Sequence, residues 1–80
     1  MTFTYNPKGV CSRQFIIEVN DGKVGEVRVV GGCSGNLKGI ASLLRGMDVQ
    51  EAIQRMEGIR CGMKFTSCPD QLAKALKSIQ

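Results

Sequence analysis

Between Gln14 and Val30 the chain reads "QFIIEVNDGKVGEVRVV": two β-branched, apolar runs around Asn20-Asp21-Gly22. Runs of this composition broken by an Asp-Gly turn signal predict a β-hairpin, with strands from about Arg13 to Val19 and from Lys23 to Val30. Two registers compete. A two-residue Asp21-Gly22 turn pairs Val19 with Val24 and puts Phe15 and Ile17 on the face of Glu26 and Arg28. A three-residue Asn20-Asp21-Gly22 loop pairs Val19 with Lys23. Phe15, Ile17, Val19, Val27 and Val29 then share one face, and Gln14, Glu18, Glu26 and Arg28 share the other. The second register separates apolar from polar, and Gly22 suits its left-handed position, so it is the expected one.

Upstream, Thr2 to Tyr5 alternates and ends at the turn signal "NPKG", which predicts a first strand. Downstream of the loop "GGCSGN" the apolar period changes. Leu37, Ile40, Ala41 and Leu44 form one helix face, closed by Gly46. Asp48 and Glu51 have capping-box spacing ahead of Val49, Ala52, Ile53 and Met56, and Gly58 stops that helix. "IRCGMKF" reads as a connector, and Leu72, Ala75, Leu76 and Ile79 stripe a last helix. Three strands followed by three helices predict an α+β fold: a three-stranded antiparallel meander with three helices packed on one face, in a single domain spanning 1–80. Met47, Met56 and Met63 are expected to fill the core or an interface.

The 80 residues carry 11 Lys+Arg against 7 Asp+Glu, a net charge of +4. No two basic residues are adjacent, so no arm for long nucleic acid is expected, although a few cations could meet the phosphates of a small nucleotide. No apolar run is long enough to span a membrane, and the N-terminal residues do not read as a secretory signal, so a cytoplasmic location is expected. A core this small often gains from a partner subunit, which makes a homo-oligomer an expectation. The absence of histidine excludes Cys-His and Ser-His catalysis within one chain and every zinc site that needs histidine.

"KFTSCPD", Lys64 to Asp70, opens the last helix. Ser67 is a good N-cap, Pro69 is tolerated in the first turn, and Asp70 suits the positive end of the helix dipole and can reach back as in a capping box. Cys68 falls at or next to the first helical residue, where a helix terminus favours a thiolate. The cap explains Ser67, Pro69 and Asp70 but not the thiol.

Thr66 to Asp70, "TSCPD", within "GIRCGMKFTSCPDQLAKAL", and "GGCSGNLKGIASLL" upstream, make most of the chain resemble the TSCPD domain family. The resemblance matches Cys61, Cys68, Pro69, Asp70 and the Gly31-Gly32 loop. Larger members carry the domain near the C-terminus of adenosylcobalamin-dependent ribonucleotide reductases. The resemblance therefore implies a role in nucleotide metabolism, with a ribonucleotide reductase as an expected partner. A chain of 80 residues cannot hold that enzyme's barrel, radical site or cobalamin pocket. The expectation is thus an accessory or binding module that is not catalytic alone. The reductases usually carry a tail dithiol as a close Cys-x-x-Cys pair, whereas Cys61 and Cys68 are separated by six residues.

Cys11, Cys33, Cys61 and Cys68 all lie in or beside predicted turns or helix starts. Three readings stay open: small buried thiols, a structural zinc site using some or all four, or a redox pair in which Cys68 attacks and Cys61 resolves. No Cys-x2-Cys knuckle is present, and no cofactor is required by the pattern. In "GGCSGNLKG", Gly31, Gly32 and Gly35 would let backbone N–H groups face an anion, Ser34 or Asn36 could cap the helix, and Lys38 lies in its first turn. The alternative is a tight strand-to-helix turn. A nucleotide or other small anion is the expected ligand, shared between two loops if the chain dimerises. Arg60 could face a phosphate or pair with Asp70.

Overall fold

The computed structural model of the chain describes residues 1–31, 34–60 and 62–79. Three strands, β1 (Thr2–Tyr5), β2 (Ser12–Asn20) and β3 (Lys23–Gly31), precede three helices, α1 (Ser34–Leu44), α2 (Val49–Met56) and α3 (Cys68–Lys77). The sheet is an antiparallel meander in the order β1-β2-β3, the expected α+β arrangement.

The hairpin takes its turn from one register and its faces from the other. Asn20 pairs with Lys23 and Val19 with Val24, so the loop is the two-residue Asp21-Gly22 turn and not the expected three-residue loop. Both turn residues have positive φ, 53° and 75°, the backbone that a tight right-twisted hairpin requires. The register then shifts: Ile17 pairs with Val27 and Phe15 with Val29, leaving Gly25 and Glu26 opposite Glu18. This β-bulge restores the separation of apolar from polar residues that a plain two-residue hairpin would lose. Gly25 permits it, because a Cβ there would stand 2.5 Å from the Glu18 carboxylate. A second shift leaves Arg13 unmatched before Ser12 pairs with Gly31.

Phe15, Ile17, Val24 and Val27 face one core cluster with Leu44, Val49, Ala52, Ile53, Met56, Leu72 and Leu76, and Val19 and Val29 pack against it. The Tyr5 ring stacks near Phe15, with centroids 6.5 Å apart. The helices therefore cover one face of the sheet, while Ile16, Glu18 and Arg28 stay on the other. Asp48 caps α2 by accepting from Gln50 N–H, and the Glu51 carboxylate goes to Arg55 in place of the expected return bond. Gly46 and Gly58 follow α1 and α2 with φ of 83° and 86°, the left-handed backbone that ends a helix. Met56 is buried and Met47 packs against the core, but Met63 is fully exposed on the connector before α3 and fills no core position.

The α1–α2 turn docks on the free edge of β3. Val24 donates its N–H to Met47 C=O and accepts from Gly46 N–H, both at 2.7–2.8 Å. Among the described residues, that closes the edge at the hairpin end alone.

Candidate functional site

The Thr66–Gln71 segment is a buried clasp. Ser67 caps α3, accepting from Asp70 N–H at 3.1 Å and donating its hydroxyl to Ile59 C=O at 2.6 Å. Asp70 does not reach back to the cap residue. Its carboxylate accepts from Thr66 O–H and from Gly58 N–H, so it ties α3 to the chain leaving α2. Gln71 donates to Thr66 Oγ1 at 3.0 Å and accepts from Lys8 N–H at 3.0 Å, which adds the β1–β2 loop to the clasp. Thr66 is wholly buried and Asp70 is 5 % exposed. The Thr66 hydroxyl, then the Gly58 amide and, more weakly, Lys74 hold the Asp70 carboxyl below its ordinary 3.8 against the opposing effect of burial. The ion pair of Asp70 goes to Lys74, and Arg60 is exposed.

Cys68 is the first residue of α3, as expected, and its sulfur lies 3.2 Å from Ser12 Oγ. Ser12 is the hub of this end of the molecule, since it also pairs with Gly31 across the sheet. Cys11, next to it, is exposed. Gly32, Cys33, Cys61 and the side chain of Ser34 lie outside the described residues. Gly31 pairs with Ser12, and Ile59 C=O accepts from Ser67. Among the described residues no group of three or more Cys, Asp or Glu is placed to hold a metal ion.

The glycine-rich bend forms the other part of this end. Gly31 has φ 81°, which only glycine adopts cheaply, and a Cβ there would meet Arg13 N at 3.4 Å. α1 begins at Ser34, so Ser34, Gly35, Asn36 and Lys38 all lie in its first turns and neither Ser34 nor Asn36 is the expected cap; Asn36 and Lys38 are exposed. Lys38 lines a groove of about 530 Å³ between α1 and β3, together with Arg28, Arg45 and Glu26. Glu26 is bonded to Arg28 at 2.9 Å, and that contact holds its carboxyl below the ordinary range. Among the described residues, neither Lys38 nor Arg45 makes an ion pair.

Sequence reasoning missed Arg28 and Arg45 as companions of Lys38. The signal was available for Arg45: it stands seven positions after Lys38, two helical turns, which puts both on one side of a helix. Arg28 joins them only through the packing of α1 against β3. Ser12 carried no signal, because its role depends on a contact 56 residues away.

No curated protein and no solved structure matches the chain. The family model described as "TSCPD domain" matches residues 3–80, so this chain, whose eponymous pentapeptide forms the clasp, belongs to the TSCPD domain family.

Proposed function

We propose that this protein is a non-catalytic accessory module of nucleotide metabolism, binding a nucleotide or another small anion at the end formed by Gly31, Gly32, Ser34, Gly35, Asn36 and Lys38. A ribonucleotide reductase is the partner the family relationship favours. The observation that carries this reading is the clasp. Thr66, Ser67, Asp70 and Gln71 spend their polar groups on one another and on the backbone, so the family motif acts as a fastening with no acid–base pair left for chemistry. The cationic, exposed residues lie along α1 and β3. A nucleotide panel in a thermal-shift assay tests the proposal. Stabilisation that Lys38→Glu removes is expected, and a flat response across the panel overturns nucleotide binding.

Ser12 favours a second reading of the thiols: structural zinc held by Cys11, Cys33, Cys61 and Cys68. Ser12 touches Cys68, adjoins Cys11 and pairs with Gly31, two residues before Cys33. Four thiolates complete a tetrahedral zinc site without histidine, and such a site would staple a thin core. Elemental analysis of the purified protein should find stoichiometric zinc that Cys68→Ser releases. Zinc-free protein of undiminished stability overturns this. A Cys68 thiolate forming well below neutral pH in a thiol titration would instead favour the redox pair Cys68 and Cys61.

A further inference from the structure

The edge of β3 is closed at one end and open at the other. In a strand, side-chain direction and backbone direction alternate together with a period of two, so residues that share a face also share a backbone direction. Val24 faces the core, and its N–H and C=O point outward, to Met47 and Gly46. Across the bulge the direction is kept by β2: Val27 and Val29 lie opposite Ile17 and Phe15, which are an even number of residues from Val19, whose N–H and C=O bond Met1 on the β1 side, so the N–H and C=O groups of Val27 and Val29 point outward too. Among the described residues neither makes a backbone bond beyond the sheet. They form one wall of the 530 Å³ groove, and Leu37 and Ala41 of α1 stand on the other wall. A free strand edge beside a helix is the geometry that accepts an added strand, with main-chain bonds giving affinity and the flanking side chains giving selectivity.

We propose that this groove receives an extended acidic peptide segment as a fourth, antiparallel or parallel strand on β3. Charge selects the occupant. Arg28, Lys38 and Arg45 line the groove against the single carboxylate of Glu26, which Arg28 bonds and whose charge Arg45 also feels. A second copy of the chain would bring a net charge of +4 and the same cations to the same edge, a like-charge encounter that costs affinity. An acidic strand meets Lys38 and Arg45, which have no ion-pair partner among the described residues. This goes beyond nucleotide binding at the glycine loop, with which it shares Lys38, and it rests on the strand edge and not on that reading.

The experiment uses the full chain and a short capped peptide alternating glutamate and valine, with its lysine–valine counterpart as control. Hydrogen exchange followed by NMR should show the Val27 and Val29 amides slowed by roughly tenfold or more on saturation with the acidic peptide, as amides entering a strand ladder are. Arg45→Glu should weaken the peptide by roughly fivefold, more at low salt than at high. Loss of the nucleotide shift with peptide binding intact would overturn only the nucleotide reading. The strand proposal is overturned if the two amides exchange as fast with the acidic peptide as without it, or if the lysine peptide binds equally well. It is also overturned if the chain alone dimerises with these amides already protected.

Discussion

Two regions at opposite ends of the chemistry meet in this small domain. The Thr66–Gln71 clasp is buried, anionic at Asp70 and saturated with hydrogen bonds, whereas the α1–β3 groove is open, cationic and short of partners. The contrast separates what a signature sequence marks from what a surface offers. A motif can mark a family because it fastens the fold, while the exposed cations of the groove are scattered and share no motif. Perturbing the clasp should therefore unfold the protein, and perturbing the groove should leave it folded and change what it binds.

The largest effect is expected at Asp70. Asp70→Ala leaves the Thr66 hydroxyl and the Gly58 amide without their acceptor, at a cost of roughly 3 kcal/mol. Urea unfolding monitored by circular dichroism should show this as a much lower midpoint, and a midpoint within error of the parent would break the contrast. The same residue sets an acid limit. Its folded-state carboxyl lies below the ordinary 3.8, so its ionisation stabilises the fold above that value, and the contribution is lost as pH falls through the folded-state value. Comparing unfolding at neutral pH and in acid should show a fall in stability that Asp70→Asn flattens.

Ser67→Ala comes next, at about 1–2 kcal/mol, because it removes a helix cap and the bond to Ile59 C=O. Gly22→Ala should cost about 1 kcal/mol through the left-handed turn backbone alone, since a Cβ there meets nothing within 4 Å. Both are read from denaturation midpoints at an unchanged slope. The smallest effect on stability is expected from Lys38→Glu in the groove, within about 0.5 kcal/mol. Calorimetric unfolding checks that figure; a larger loss would mean that the groove, like the clasp, is part of what holds the fold.

Most of the fold was legible because periodicity and punctuation agreed. The three helix stripes, the caps at Asp48 and Ser67, and the stops at Gly46 and Gly58 are local signals, and they hold except at Ile79, which lies past the end of α3. The hairpin was only half legible. Facing follows from the pattern Phe15-Ile17-Val19 against Val27-Val29, but the pairing depends on an extra residue at the bulge, and a pattern of period two does not reveal it. The clasp was half legible for a similar reason. The cap was visible in Ser67, whereas the partners of Asp70 are Gly58 and Thr66, and Gly58 is chosen by the path of the connector. The groove was least legible, because Arg28 and Lys38 are brought side by side by tertiary packing alone.

The bulge also makes this hairpin unequal in its tolerance of lost residues. Omitting Gly25 would leave Glu18 opposite Glu26 and Ile17 still opposite Val27, an unbroken ladder with every inward residue still inward. Omitting any single residue from Val27 to Val29 is worse: closing the bulge would bring Glu26 to the inward position opposite Ile17, and keeping it would turn the remainder of β3 inside out. Gene shortening in this strand is therefore survivable at one codon, at the expense of local twist, and ruinous a few codons later.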